Sequence, residues 1–125
     1  MTGLNKVLLV FLGGGVGSSI RFSISQLLKS SASGFPYSTF VVNVSGCFLI
    51  GLLSSYLDPE NQGWRLFILI GVLGGFTTFS SFGYETLRLF DNGQFQTGIL
   101  YIFLSNLCGL SAVYLGNRIP GWLSL

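Results

Sequence analysis

The sequence predicts an all-α integral membrane protein with four transmembrane helices per subunit, and three observations predict it. First, 50% of the 125 residues are hydrophobic and only 8% are charged; a soluble domain carries about 25% charged residues, so this chain lacks the polar atoms to cover a water-facing surface. Second, the apolar residues gather into four segments, each near the ~20 residues that a helix needs to cross a bilayer. Third, the joints between these segments are short and polar, which leaves no room for a soluble domain, and residues 1–125 read as one transmembrane domain.

The first span covers roughly residues 5–28 and opens with KVLLVFLGGGVGSSI. Its Lys6 and apolar run also fit a secretory signal peptide, but the pattern continues past Gly17 and three similar segments follow. The loop from Lys29 to Pro36 (KSSASGFP) is polar and ends in a proline suited to starting a helix. The second span, residues 37–57, holds no charge, and DPENQG at Asp58 to Gly63 is a turn punctuated by Pro and Gly. The third, residues 65–89, has nineteen uncharged residues between Arg65 and Glu85. The fourth, residues 95–116, is closed by Asn117, Arg118 and Pro120. Tyr37, Tyr56, Trp64 and Trp122 fall near span ends, where aromatic belts belong.

Composition also excludes function classes. Four acidic residues, six basic ones and no histidine leave little for acid/base catalysis or for metal ligation by side chains. A net charge of +2, with the basic residues scattered, gives no nucleic-acid surface. Cys47 and Cys108 lie inside separate apolar spans and read as small packing residues rather than a disulfide or metal framework. Lipid is the first partner.

Four spans put both termini on one side of the membrane. That side carries Lys6, Arg65 and Arg118, and the other carries Arg21, Lys29 and Arg88. Basic-residue bias normally fixes orientation, and here it is close to absent. A chain without preference inserts both ways, and two inverted copies that pair make an antiparallel, dual-topology homodimer. A weak bias giving one orientation stays open on charge counting alone.

Polar groups inside lipid are costly and normally face protein or a water-filled path. Thr39 and Asn43 are four apart in the second span; Tyr101 and Ser105 share that spacing in the fourth, with Asn106 beside them. A ladder of hydroxyl and amide donors without fixed charge suits a small anion, while the alternative for each is hydrogen bonding between helices, which we favour for Asn106. The third span holds Gly71-Val-Leu-Gly-Gly-Phe-Thr-Thr-Phe-Ser-Ser-Phe82, with three glycines and four hydroxyls at mid-membrane. Glycine costs about 1 kcal/mol against alanine in a helix, and Ser and Thr compete for backbone hydrogen bonds, so the helix is expected to break between Gly74 and Phe79. Broken backbone at that depth survives where it is buried or lines a cavity, and its carbonyls can hold a cation. Phe79 and Phe82 share a face just beyond the break, and the positive edge of a phenyl ring can flank an anion; ordinary packing is the alternative. Gly13-x-x-x-Gly17 and Gly71-x-x-x-Gly75 let helices approach closely. The GGGVG run has no preceding strand, so it is no dinucleotide fingerprint. Glu85, at the end of the third span near Arg88, is either a solvated end residue or a vestibule group.

At GGGVGSSIRF (Gly13 to Phe22), VNVSGCFLIG (Val42 to Gly51) and GVLGGFTTFSSF (Gly71 to Phe82) the chain resembles the Fluc, or CrcB, family of fluoride channels over nearly its full length. The last motif is the most specific. The resemblance implies a passive, fluoride-selective channel in a bacterial inner membrane, built as a dual-topology homodimer with two antiparallel pores. It implies that Phe79 and Phe82 line the pore, that Asn43 is the pore-facing amide and that Ser81 lies close to the ion. Thr39, Tyr101 and Ser105 would form a polar track, with Arg21 and Glu85 near the pore entrance. A structural sodium ion would sit at the dimer centre, held by the backbone carbonyls of Gly74 and Thr77 from both subunits. Gly109 and Val113 are not hydroxyls, which leaves the far end of the track without a motif.

Three rivals fit less well. A small proton-coupled multidrug exporter shares the length and span number but uses a carboxylate within a span, usually the first, and here the first span has none. A scaffold subunit would not require TTFSSF or a buried Asn43. An intramembrane enzyme would need a nucleophile with a base partner, and none is visible.

Overall fold

A computed structural model describes residues 1–28 and 34–123. It is helical throughout, with four helical stretches long and apolar enough to cross a membrane. Lys29 and the first part of the KSSASGFP loop lie outside the described residues.

Helix α1, Gly3–Leu27, starts where Thr2 Oγ1 accepts the Asn5 N–H. At about 1.5 Å per residue, its 25 residues exceed the ~30 Å of a hydrocarbon core. Helix α2, Tyr37–Tyr56, begins directly after Pro36, whose missing N–H costs nothing at a helix start. Its far end is capped by Arg65, which donates from Nη1 to the Leu57 carbonyl at 3.1 Å. In the DPENQG turn, Asp58 Oδ1 accepts the Glu60 N–H, and Asn61 Oδ1 accepts the Trp64 N–H. That second bond starts the third span at Gln62, three residues before the charge pattern alone indicates.

The third span is in two pieces. Helix α3 covers residues 62–76: a first turn at Gln62–Trp64, a π-helical stretch at Arg65–Leu73 and a last turn at Gly74–Phe76. Thr77 and Thr78 are extended (φ −82°, ψ 157° and φ −151°, ψ 117°), and helix α4 follows at Phe79–Asp91. The helix therefore breaks inside the predicted interval. Helix α4 ends in a Schellman motif: Gly93 takes φ +74°, its N–H bonds to the Phe90 carbonyl, and the Gln94 N–H bonds to the Leu89 carbonyl.

Helix α5, Phe95–Leu123, is longer than the predicted fourth span. It runs through Asn117, Arg118 and Pro120 instead of closing there. Asn117 Nδ2 donates to Ser55 Oγ on α2 at 2.8 Å, and the Arg118 guanidinium lies over the Tyr114 ring. These contacts hold the last turns helical, and a proline's fixed φ is compatible with a helix even though its missing N–H forfeits one bond.

Two seams organise the packing, α1 against α3 and α2 against α5. In the first, the two small-residue motifs meet: a Cβ added at Gly13 or Gly17 would collide with the Phe67 or Val72 carbonyl, and one at Gly75 with the backbone of Gly14. In the second, a Cβ at Gly51 would collide with the Val113 carbonyl, and one at Gly116 with that of Phe48. Side-chain packing is sparse beyond this. Phe35, Leu89 and Tyr101 form a small core flanked by Phe40, Phe82 and Leu104. Phe11, Ile70, Leu110 and many other large apolar side chains are exposed, as lipid-facing helices require. Tyr37, Tyr56, Trp64 and Trp122 are exposed near the helix ends, and both cysteines are free and half-buried.

Candidate functional site

The site is built around the interruption at Thr77 and Thr78. A continuous helix would bond each N–H to the carbonyl four residues back, and here side chains take over those roles. The carboxamide of Asn43 on α2 bonds to both backbone groups of Thr78: Oδ1 accepts its N–H at 2.8 Å, and Nδ2 donates to its carbonyl at 2.9 Å. Thr78 Oγ1 accepts the Ser81 N–H at 3.1 Å and so caps α4. On the other flank, the Gly75 carbonyl accepts from Arg21 Nε at 3.2 Å and from Ser18 Oγ at 3.3 Å, both on α1.

Two hollows flank this break. One is a polar cavity of about 990 Å³, lined among others by Arg21, Thr39, Thr78, Ser81, Glu85 and Arg88. The other is a narrower groove of about 350 Å³, lined by Asn43, Cys47, Thr78, Phe79, Phe82 and Ser105 together with apolar residues. Thr78 lines both.

Within the groove, the Phe82 ring lies between Phe79 (centroids 5.5 Å apart) and Tyr101 (5.1 Å). Phe79 is 83% exposed while Tyr101 is fully buried, so this aromatic row leads from the small core to an open face. Ser105 Oγ is buried without a hydrogen-bond partner among the described residues. A buried hydroxyl without a partner costs about 1–3 kcal/mol, which marks Ser105 as a group waiting for an acceptor. Ser81 Oγ accepts from Thr78 Oγ1 at 3.1 Å, which leaves its own proton for an acceptor in the polar cavity.

Glu85 is more than an end residue. Thr39 Oγ1 donates to its Oε1 at 2.7 Å and Tyr101 Oη donates to its Oε2 at 2.8 Å. The carboxylate thus bridges α2 and α5 from α4. With both protons spent on Glu85, Thr39 and Tyr101 present to an ion only when that carboxylate moves or is neutralised. Asn43 is likewise largely committed, with one amide N–H uncommitted beyond the Thr78 pair.

The structure brings together Asn43, Phe79, Phe82 and Ser105 in the groove, and Arg21, Thr39, Ser81 and Glu85 in the polar cavity. Arg21 reaches the break itself. Asn106 lines the groove, but its Nδ2 is returned to the Ile102 carbonyl of its own helix. Beyond Ser105, no hydroxyl ladder continues toward the α2 seam among the described residues: Gly109 lies against Cys47 Sγ and the Val113 carbonyl lies against Gly51. Sequence reasoning missed Ser18 and the capping role of Thr78. A threonine directly before the Phe79–Asp91 run was the available signal for the cap; nothing local points to Ser18.

The carbonyls of Gly74 and Thr77 fit the expected cation. Their helical donors would be the Thr78 and Ser81 N–H groups, which Asn43 Oδ1 and Thr78 Oγ1 have taken. Gly74 is exposed, with nothing within 4 Å of a Cβ built there. A hard cation gathers several oxygen ligands, so two carbonyls from one chain make part of a coordination shell.

The family model for CrcB-like protein, Camphor Resistance (CrcB), matches residues 8–117. The chain belongs to the CrcB family. Among curated relatives, a protein of Thermus thermophilus named fluoride-specific ion channel FluC is 47% identical over 123 residues, covering 96% of this chain and 98% of its own. A protein of the same name from Elusimicrobium minutum is 47% identical over 118 residues, covering 93% and 94%. A third, from Azobacteroides pseudotrichonymphae, is 43% identical over 117 residues, covering 90% and 94%. The CrcB match takes in every residue of the groove and the polar cavity named above.

Proposed function

We propose that this chain is a passive fluoride channel, with the groove beside the helix break forming one wall of the ion path. The observation that carries the reading is Ser105: a buried, unpartnered hydroxyl in a groove shared with Phe79, Phe82 and the amide of Asn43. The naming of relatives that match almost the whole chain as fluoride-specific channels supports the choice of ion. Such a channel is a conduit rather than an enzyme.

The chemistry is consistent with that ion. Fluoride is small and strongly hydrated, so a path must replace its water with close donors. Ser81 and Ser105 offer hydroxyl protons, Asn43 offers one amide N–H, and the phenyl rings offer positive edges. Arg21 and Arg88 give the polar cavity a positive bias that draws anions inward. Export needs no energy source, because fluoride that enters as the acid and dissociates inside can leave down its own gradient.

The working unit in this reading is an antiparallel homodimer of dual topology with two pores, in a bacterial inner membrane that the chain crosses four times. The near-even basic tally supports it, as does Phe79, which is 83% exposed at the open edge of the groove. A second copy would close that edge. A structural sodium would bind where the Gly74 and Thr77 carbonyls of two copies meet, and when bound it would neutralise the carbonyl dipoles of two broken helices.

The test is fluoride efflux from liposomes loaded with potassium fluoride, followed with a fluoride electrode after addition of valinomycin. Rapid release, with no comparable release of chloride, is expected. Absence of fluoride flux together with drug-driven proton exchange would replace the channel with an exporter. Reporters fused to the C-terminus should signal from both sides of the membrane; signal from one side alone would contradict the inverted dimer.

A further inference from the structure

The break in the third span presents a run of carbonyls that the helix no longer satisfies, and the protein sorts them. The Gly75 carbonyl is taken by Arg21 and Ser18, and the Thr78 carbonyl by Asn43. Immediately before each of these, the Gly74 and Thr77 carbonyls lose their helical donors, because the Thr78 N–H goes to Asn43 Oδ1 and the Ser81 N–H goes to Thr78 Oγ1. Both diversions are made by side chains, and both run in the same sense.

We infer that Asn43 and Thr78 are positioning residues for a cation: their side chains hold two N–H groups away from the helix and so leave the Gly74 and Thr77 carbonyls open to sodium. The inference rests on the sodium reading above and goes beyond it, since it makes Asn43 chiefly a backbone clamp and couples the wall of the anion groove to cation binding. A carboxamide suits this task because it offers an acceptor and a donor side by side, matching the N–H and C=O of one residue. An ionised carboxylate at position 43 can only accept, and a hydroxyl would have to serve both groups from a single oxygen. Asn43→Asp keeps the acceptor but sets a carboxylate oxygen against the Thr78 carbonyl, which drives Thr78 back toward a helical bond to Gly74. Thr78→Ala removes the acceptor for the Ser81 N–H and frees it for the Thr77 carbonyl.

The experiment is thermal unfolding of the purified full-length protein in detergent, titrated with sodium chloride at constant ionic strength against N-methyl-D-glucamine chloride. Sodium is expected to raise the unfolding midpoint of the wild type. In Asn43→Asp and, independently, in Thr78→Ala, the sodium concentration for half of that rise should increase at least tenfold. Ser105→Ala, which touches none of these bonds, should keep the wild-type sodium response. Should Asn43→Asp fail to fold, Thr78→Ala decides alone, because the bonds it loses, to the Ser81 N–H and to the Ser80 and Ser81 hydroxyls, all lie within the first turn of α4. A wild-type sodium response in the folded variants would overturn the inference while leaving the sodium reading standing. No sodium response in the wild type would remove the sodium reading and the inference with it. A fall in midpoint that is equal in both salts would show a merely structural role and would also overturn it.

Discussion

The seam between α1 and α3 and the groove along α2, α4 and α5 are built on opposite plans. At the seam, Gly13, Gly17 and Gly75 present no side chain, and the facing backbones lie so close that a methyl group has no place to go. In the groove, the contacts are made by side chains, and some keep unspent hydrogen-bonding capacity: Ser105 Oγ has no partner among the described residues, and Asn43 retains a donor, as Ser81 does in the adjoining polar cavity. The difference teaches where rigidity and function reside. Tight glycine contact fixes the helices, and polar valency that the fold does not consume is left on the face where an ion would pass.

The contrast can be broken or sharpened by substitution. Gly17→Ala should have the largest effect on the protein itself, because its Cβ meets the Val72 carbonyl and backbone cannot rotate away. Overpacking of this kind typically costs about 1–3 kcal/mol, and we expect the upper end, seen as loss of a monodisperse peak in size-exclusion chromatography. Tyr101→Phe comes next. It strips Glu85 Oε2 of its hydroxyl donor at a fully buried position, and a hydrogen bond to a charged group is worth about 1.5–3 kcal/mol; denaturation in mixed micelles should register a loss of that order. Ser105→Ala reverses the pattern. Folding stability should change by less than about 0.5 kcal/mol or rise slightly, since an unsatisfied hydroxyl is removed, while fluoride efflux falls about tenfold, the equivalent of one lost hydrogen bond in the path. Gly15→Ala is the smallest. Gly15 is on the same helix as Gly17, but nothing lies within 4 Å of its added Cβ, so the variant should gain about 0.5–1 kcal/mol from helix propensity and conduct as the wild type does.

Much of this was legible in the sequence, for identifiable reasons. The four spans follow from composition, and the break follows from glycines and hydroxyls crowded between Gly71 and Phe82, where each residue separately disfavours a helix. The α1–α3 seam was legible because both partners carry the same small-residue spacing. The α2–α5 seam was less so, because Gly51-x-x-x-Ser55 and Ala112-x-x-x-Gly116 carry the spacing with only one glycine each, and the backbone each glycine meets, at Val113 and Phe48, is set by the fold. No residue pattern in Arg65–Leu73 announces its wider, π-helical turns. Glu85 was misleading for a local reason: a carboxylate at the end of an apolar span next to Arg88 resembles a solvated end residue, and its two donors come from α2 and α5, 46 and 16 residues away. Asn43 was legible as a buried amide, but its pairing with the Thr78 backbone depends on how α2 lies against the break, which spacing along the chain does not encode.

The central claim is that fluoride passes along the groove lined by the two phenylalanines, and the direct measurement is valinomycin-triggered fluoride efflux from liposomes carrying wild type, Phe79→Ile or Phe82→Ile at equal protein density. Neither ring belongs to a glycine seam, so both variants should elute as the wild type does. Efflux should fall at least tenfold in each. Wild-type rates in both variants would contradict the account.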